Sequence, residues 1–501
     1  MQTTSSSASD DARCDPGIRA VAWPLYVDLD GTLVRSDTLH ESLLLLIRRR
    51  PWMVLHVLAW LFKGKAYFKR RLAEWVVPDP RDLPYHPAFL DWLRQQHALG
   101  RPLVLATAAD RRIAEAVAEH LGLFSAVLAT NQPEAGAVNL SRQGKRDAIR
   151  RHAQAQGWAA FAYAGNSRDD LPVWQAAQEA VAVDAPSGVL RDLRQCHPQP
   201  QVFTSQPATW RTWLEAARLT QWAKNALLFV PLLAAHGWAL QAWAQVWLGF
   251  VAFGLCASAT YLVNDLLDLP NDRRHPHKRR RPLAAGRLSI APAVGASGVL
   301  LGAGLLLGGW LSLTFLALLL GYTAITLAYS LYLKRIALLD VLILSGLYTW
   351  RLVAGAVVAG VELSNWLLAM SLFLFLGLAL VKRCAELEKL LLDTERHQAP
   401  GRGYHQDDLP ALRALGITSS LVAVVVLALY IGSAQAQDLY ARPQWLWAAV
   451  PLLLWWVMRL WFKTGRGELQ GEDPLQFALR DRFSWGVLLG LGVLGAWASW
   501  G

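Results

Sequence analysis

Charge is scarce in this chain. Only 17% of its 501 residues are Asp, Glu, Lys or Arg, while 54% are hydrophobic and the mean hydropathy is +0.24. That balance excludes an ordinary soluble globular protein of this size. Cysteine is scarcer still. Cys14, Cys196, Cys256 and Cys384 are the whole set, and none are paired at CxxC spacing. This excludes a disulfide framework and a cysteine zinc site. The N-terminal stretch MQTTSSSASDDARCDPG has no apolar core, which excludes a signal peptide. Residues 1–20 are expected to be a disordered leader that leaves the following domain in the cytosol. Acidic residues are too few to offset the basic ones, and the net charge is +11. The Lys and Arg residues cluster beside apolar runs. Anionic lipid headgroups and phosphorylated substrates account for them, and no nucleic-acid partner is expected.

What is present divides into two domains. Over residues 21–185, short apolar runs alternate with helical segments. The runs are Val21–Val27, Leu103–Ala106, Val127–Ala129 and Phe161–Ala164, and helices are expected at Ile113–Leu121 and Arg146–Gln156. This alternation predicts a parallel α/β sheet. The helix-rich stretch from Glu41 to about Leu93 interrupts it as a cap insertion would. Its apolar run Trp52–Phe62 is too short to span a bilayer, and reads as cap core or as a surface that meets the membrane. Residues 186–208 carry Pro, Gln, Ser and His without periodicity and are expected to be a linker.

Over residues 209–501 the pattern predicts an all-α polytopic membrane domain. Nine apolar stretches reach spanning length, at about 224–241, 243–264, 289–308, 310–330, 336–358, 365–383, 414–433, 444–461 and 483–500. With the N-terminus inside, the connections after even-numbered spans hold most of the Lys and Arg, including Arg273 to Arg281, Lys334, Arg335, Lys389 and Lys463. The opposite connections hold only Arg442. The positive-inside rule then places the α/β domain in the cytoplasm, at the inner membrane.

Two motifs carry chemistry. The first strand runs into Asp28-Leu29-Asp30-Gly31-Thr32. Two carboxylates at the carboxyl end of a parallel strand suit covalent phosphoryl transfer. One attacks phosphorus and the other shuttles the proton, with Mg²⁺ offsetting charge repulsion. The second motif closes span two, where Asn264, Asp265, Asp268 and Asp272 fit NDxxDxxxD. At helical spacing the three acids share a face. Oxygen ligands alone favour Mg²⁺ bridging to a diphosphate, and acids at the end of an apolar span point to function.

The first motif resembles that of haloacid-dehalogenase-type phosphatases. The resemblance covers about residues 21–185 and implies further roles. Thr107 would contact phosphate, Lys145 in Gly-Lys-Arg-Asp would bind it, and Gly165-Asn166-Ser167-Arg168-Asp169-Asp170 would close the metal site. Asn166 stands where that family has its first Asp, so it and Asp170 are expected ligands with Asp28 and Asp30. Asp169 is a candidate to supply the missing charge.

The second motif resembles that of the UbiA prenyltransferase superfamily, over about residues 209–501. Gln221-Trp222-Ala223-Lys224-Asn225 and Tyr329 to Arg335 agree with that family. Its usual second aspartate-rich motif is missing, and Lys382-Arg383-Cys384-Ala385-Glu386 stands in its place. With the basic run His275 to Arg281 and Gly401-Arg402-Gly403-Tyr404, these segments resemble the decaprenyl-phosphate phosphoribosyltransferase branch. That resemblance implies 5-phosphoribosyl 1-diphosphate as donor and a polyprenyl phosphate lipid as acceptor. Asp265, Asp268 and Asp272 would hold Mg²⁺ and diphosphate. Lys224, Asn225, Asn264, Lys278, Lys334, Lys382, Arg383 and Glu386 would line the substrate site. Arg351, inside span five, either faces that cavity or pairs with a polar neighbour. The expected activity is phosphoribosyl transfer, followed by removal of the 5-phosphate by the N-terminal domain. The alternative is prenyl transfer to an aromatic acceptor, beside a regulatory or scaffolding N-terminal domain.

Overall fold

The computed structural model describes residues 23–131, 140–391, 403–469, 477–478 and 480–500. The expected leader, residues 1–20, lies outside them. The chain forms two compact units. One comprises Met1–Pro207 with the segment Ala285–Ile290, and the other comprises Ala208–Ala284 with Ala291–Gly501.

The first unit is built on β1 (Leu25–Val27), followed by helices α1 (Thr38–Arg49), α2 (Val54–Leu61), α3 (Lys65–Trp75) and α4 (Pro87–Ala98). Then come β2 (Leu103–Asp110), α5 (Arg111–Leu121), β3 (Ala126–Thr130), α6 (Gln143–Ala155), β4 (Ala162–Gly165), α7 (Leu171–Trp174), β5 (Glu179–Val183), α8 (Ser187–Cys196) and β6 (Gln201–Phe203). All five strand pairings are parallel, in the order β3-β2-β1-β4-β5-β6. Parallel sheets are covered on both faces, so their strands are apolar at every position. Leu25, Val27, Leu103 and Leu105 enter the core on one face. Tyr26, Val104 and Ala106 enter the core on the other. The strand order reverses between β1 and β4, which is where an open sheet forms its ligand crevice.

Four strands and both helices of this unit fall where the sequence pattern puts them. The stretch 186–208 does not behave as the expected linker. It supplies α8 and the edge strand β6, and Val189 and Leu193 of α8 are buried against the sheet. Its apolar residues are too few to show periodicity, yet they fall on one helical face. The cap has its own core, in which Leu46, Met53, Val57, Trp60, Phe68, Leu72 and Val76 meet.

The second unit opens with α9 (Trp210–Ala217), a 3₁₀ segment (Leu219–Phe229) and α10 (Val230–Ala234). It continues with α11 (Leu240–Leu267), α12 (Leu269–Arg274), α13 (Ile290–Leu311), α14 (Leu313–Leu331), α15 (Leu339–Ala359), α16 (Asn365–Leu391), α17 (Leu409–Ile431), α18 (Ala434–Leu439), α19 (Ala449–Gly465) and α20 (Arg482–Trp500). Among the described residues, eight helices are long and apolar enough to cross a membrane. The chain is therefore a multi-pass membrane protein. The first of the nine expected spans is the exception. Residues 224–241 fall on the 3₁₀ segment and the short α10, broken at Ala235 before α11 begins. Gln221, Lys224 and Asn225 suit a tight, partly polar turn of chain better than a straight apolar rod.

Small residues let these helices approach closely. A Cβ at Gly355 of α15 would lie 2.2 Å from the Leu228 carbonyl oxygen and 2.7 Å from its Cα. Backbone cannot step aside as a side chain can. Gly355→Leu is therefore expected to destabilise the membrane unit by about 1–3 kcal/mol or more. Thermal aggregation of the purified protein in detergent should shift several degrees lower. An unchanged transition would show that the 3₁₀ segment is not held against α15.

Candidate active sites

In the first unit the crevice residues come from four elements. Asp28 follows β1 and is buried, with its N–H donating to the Ala164 carbonyl of β4 at 3.0 Å. Its Oδ1 accepts from the Leu29 N–H at 2.9 Å and lies 3.1 Å from Lys145 Nζ. Lys145 rises from the first turn of α6 and also donates to Asp170 Oδ1 at 3.2 Å and to the Tyr163 hydroxyl at 3.0 Å. One buried ammonium thus holds two carboxylates, at the position where the family resemblance implies a phosphate-binding lysine. Asp170 Oδ1 accepts further from the Tyr163 hydroxyl at 2.5 Å. Its Oδ2 accepts from the Asn166 N–H, Ser167 N–H and Ser167 hydroxyl at 3.0–3.1 Å.

These partners set the acidities. Burial pushes the Asp28 carboxyl up to about 6, and the Asp170 charge adds to the push against the pull of Lys145. Burial, with the charges of Asp37 and Asp28, pushes Asp30 up to about 7, opposed by the N–H of Thr38 at 2.7 Å. Burial would also raise Asp170, but Lys145 and the fan of donors outweigh it and hold Asp170 below its usual range. A carboxyl that titrates near neutrality can give and take a proton, the property a general acid–base group needs.

Gly31 joins this arrangement sterically. Its φ is +74°, and a Cβ there would stand 2.1 Å from Asn166 Nδ2. The amide side chain of Asn166 therefore lies directly against the turn that carries Asp28 and Asp30. Asp169 does not supply the missing charge. It points outward and pairs with Arg142 Nε at 2.7 Å, with both side chains more than half exposed. Thr107 is fully buried at the irregular end of the β2–β3 pairing, where its hydroxyl accepts from the Ala109 N–H at 3.0 Å. Among the described residues, no three His, Cys, Asp or Glu side chains converge as a metal cluster. Asp170, expected as a fourth ligand, is taken up instead by Lys145, Tyr163 and the Asn166 and Ser167 donors. The remaining set of two carboxylates with one amide oxygen, from Asp28, Asp30 and Asn166, is all-oxygen and fits a hard divalent cation.

In the second unit, acids and cations are interleaved at the end of α11. Helical hydrogen bonding runs on through the junction with α12, from the Asp268 N–H to the Asn264 carbonyl and from the Asp272 N–H to the Asp268 carbonyl, both at 2.9 Å. The buried Asp265 carboxylate takes Arg218 and, at 3.1 Å, Arg281. Arg281 Nη1 reaches Asp272 at 2.6 Å, so one guanidinium bridges two acids of the motif. Burial raises Asp272, and Asp265 adds to this against the pull of Arg281 and Lys278. Asp268 chelates Lys334 Nζ at 2.7 and 3.0 Å. The acids do not stand bare on one face; each has a cation beside it. Their all-oxygen donor set nonetheless fits a hard divalent ion.

The remaining expected residues fall into two groups. Arg351 of α15 pairs with Asn225 Oδ1 at 3.0 Å and the Tyr322 hydroxyl at 3.0 Å, and lies 5.1–5.6 Å from the ring centroids of Phe253, Tyr322 and Tyr348. Lys224 stands 5.6 Å from the Tyr348 ring. Asn225 is buried and its Nδ2 makes no hydrogen bond. The second group surrounds Arg383. This side chain is fully buried, with Nε 2.7 Å from Asp340 and Nη1 on Glu386, while the Tyr404 hydroxyl donates to Asp340. Expected as a phosphate ligand, Arg383 is largely committed by ion pairing to Asp340 and Glu386; Nε and Nη2 are buried donors without a well-aligned hydrogen bond. Lys382 and Asn264 are half-buried and Lys278 is exposed. Gly401 and Arg402 lie outside the described residues.

Arg218 and Asp340 were not singled out by the sequence motifs. Asp340, an acid two residues into α15, carries the signal of an ionisable group within an apolar span. Arg218 gives no such signal, being a lone cation in left-handed conformation (φ +52°) after α9.

The Lys145 bridge yields a test. Lys145→Met strands Asp28 and Asp170 without their cation, and should destabilise the first unit by roughly 3–5 kcal/mol. Adding Asp28→Asn removes one stranded charge and should recover part of the loss. Protease resistance of this unit within the full-length protein, followed against temperature, reads both. Equal loss in the single and double variants would mean that Lys145 acts through packing alone.

Comparison with known proteins follows the same division. The UbiA prenyltransferase family model matches residues 226–469, and the haloacid dehalogenase-like hydrolase model matches residues 25–175. The chain is 37% identical over 465 residues to uncharacterized protein y4nM of Sinorhizobium fredii, covering 92% of this chain and 88% of that one. It is 34% identical over 292 residues to nodulation protein NoeC of Azorhizobium caulinodans, covering 56% and 91%. It is 33% identical over 292 residues to decaprenyl-phosphate phosphoribosyltransferase of Mycolicibacterium smegmatis, again covering 56% and 91%. The chain belongs to the UbiA prenyltransferase family, with a haloacid dehalogenase-like hydrolase domain ahead of its membrane helices.

Proposed function

We propose that the membrane unit transfers a 5-phosphoribosyl group from 5-phosphoribosyl 1-diphosphate to a polyprenyl phosphate, and that the first unit then removes the 5-phosphate. The interleaving of Asp265, Asp268 and Asp272 with Arg218, Arg281 and Lys334 carries the reading. A donor with a diphosphate and a separate phosphate needs metal-binding acids and cations side by side. The relatives named decaprenyl-phosphate phosphoribosyltransferase support the same choice. Mg²⁺ held by the three acids would neutralise the departing diphosphate. The cations swing from carboxylate to phosphate oxygens, and the carboxylates stabilise positive charge that builds at the anomeric carbon. The acceptor phosphate oxygen forms the new bond as the diphosphate leaves. The basic residues beside these acids support a reaction at the cytoplasmic face of the inner membrane.

At the first unit, Asp28 attacks phosphorus and Asp30 delivers a proton to the departing ribose oxygen. Asp30 then takes a proton from the water that hydrolyses the phospho-aspartyl bond. Lys145 offsets the charge on Asp28 and the phosphate. Mg²⁺ on Asp28, Asp30 and Asn166 would lower the charge repulsion of the attack.

Purified protein incubated with labelled 5-phosphoribosyl 1-diphosphate and polyprenyl phosphate should yield a ribosylated lipid by mass spectrometry. Prenylation of an aromatic acid, with no use of the phosphoribosyl donor, would replace this reading by ordinary prenyl transfer. Asp265→Asn or Asp268→Asn is expected to cut lipid product at least about a hundredfold without unfolding the protein. Unchanged turnover at saturating Mg²⁺ would remove these acids from the site. Asp28→Asn is expected to leave transfer intact and to accumulate polyprenyl-phosphoryl-ribose 5-phosphate, where wild type yields the dephosphorylated lipid. The same phosphorylated lipid as the sole product of both proteins would sink the two-step order.

A further inference from the structure

The cap carries an apolar surface that its own fold leaves unused. Along Pro51–Leu61, Met53, Val57 and Trp60 recur at i, i+4 and i+7 and fill the cap core. The opposite side of the same helix is as apolar and lies open. Trp52 is 66% exposed, Leu55 74%, Leu58 50%, Leu61 51% and Phe62 92%. A short helix apolar all round is ordinarily buried on every side. Here one side is spent on the cap and the other needs a covering.

Charge points to what covers it. From Ser42 to Ala73 the chain carries eight Lys and Arg residues and no Asp or Glu. Lys69 is spent on the Ala108 carbonyl, and Arg70 and Arg71 on Glu74. Arg49 and Arg50 precede the apolar face, Lys63 follows it, and all three are exposed. Cations at both ends of an apolar, Trp- and Phe-bearing face complement an anionic lipid surface. A second copy fits badly, because pairing this face with itself would bring two cationic rims together. The run is too short to span a bilayer, and the chain is held at one by its other unit.

We propose that the face formed by Trp52, Leu55, Leu58, Leu61 and Phe62 docks in the headgroup–acyl boundary of an anionic bilayer, with Arg49, Arg50 and Lys63 on lipid phosphates. A helix of this kind sinks about 5–10 Å below the headgroups. The proposal stands apart from the phosphatase reading, since it concerns lipid contact and not turnover. Its consequence for that reading is that a lipid-borne phosphate is met at the surface where it resides.

The test uses the full-length protein with Cys14 and Cys196 changed to Ser, Leu58→Cys labelled with an environment-sensitive nitrobenzoxadiazole probe, and vesicles of phosphatidylcholine with phosphatidylglycerol. A probe at Gln154→Cys, an exposed position on α6, serves as reference. The Leu58 probe is expected to shift to the blue and to lose emission to lipids bearing a shallow doxyl quencher, while the reference probe does neither. Adding Arg49→Glu, Arg50→Glu and Lys63→Glu should restore emission in these vesicles. A red-shifted, unquenched Leu58 probe would mean that water covers the face, and would overturn the proposal. A blue-shifted but unquenched probe would assign the face to protein, either another copy or this chain's own helices, and would overturn it equally. Quenching that survives the three charge reversals unchanged would overturn the role of anionic lipid. Position 58 contributes nothing to the cap core, so the labelled protein keeps its fold.

Discussion

A carboxylate taken out of water must be met by positive charge or by a fan of donors, because its desolvation costs several kcal/mol that nothing apolar returns. Both units are organised around that requirement. In the first, Lys145 stands between Asp28 and Asp170, and five donors converge on Asp170 alone. In the second, Arg281 spans Asp265 and Asp272 while Lys334 takes Asp268. The strand order of the sheet and the continuation of α11 into α12 matter chiefly because they bring these partners together. Removing a cation in either place strands an acid, so structural and chemical roles cannot be cleanly separated at these positions.

The two units nevertheless use their charges differently. Asp170 is saturated: five donors converge on its two oxygens, and its pKa is held low. It positions Lys145 and the turn after β4. Asp30 has one backbone donor and an acidity near neutrality, so it is the group free to exchange a proton. In the membrane unit the same contrast separates Arg383 from Lys334. Arg383 and Asp340 bury each other completely, with Tyr404 on the far side of the acid, and act as a clamp between α15, α16 and the segment before α17. Lys334 and Asp268 stay partly open, as the proposed exchange of carboxylate for phosphate requires.

Much of this was legible in the sequence because it rests on local spacing. The Asp28–Asp30 pair, Lys145 at the start of a helix and Asp265 with Asp268 and Asp272 are each set by a few adjacent residues. The parallel sheet was legible through β1 to β4, whose runs are apolar at every position. Strand β5 is equally apolar, Ala-Val-Ala-Val, but small residues weaken its signal beside a helix. Strand β6 is three residues long at an edge and needs only one covered face. What the sequence could not show are partners distant along the chain. Arg218 meets Asp265 across 47 positions, and Tyr404 meets Asp340 across 64. The break in the first expected span also escaped, since hydropathy counts apolar atoms and is blind to whether they lie on an α or a 3₁₀ path. The compensating role expected of Asp169 failed for a simple geometric reason. It faces away from its neighbour Asp170 and toward solvent, where Arg142 takes it.

Asn166 then becomes a constraint on the charge of the first site. An acid there would crowd a third carboxylate against the Gly31 turn, beside Asp28 and Asp30, whose pKa values are already raised by burial and by neighbouring acids, Asp170 for Asp28 and Asp37 with Asp28 for Asp30. Each further negative charge would push those pKa values higher and deplete the ionised form of the nucleophile. A neutral amide keeps an oxygen for a metal ion while sparing Asp28 that penalty. The cost is a weaker electrostatic hold on the cation, since an amide oxygen contributes a dipole where a carboxylate contributes a full charge. Lys145 limits that cost on the other side, because its ammonium neutralises Asp28 and Asp170 without occupying a ligand position near Asn166. On the proposed phosphatase reading, Asn in place of Asp would shift the work of charge balance from a bound metal ion toward Lys145.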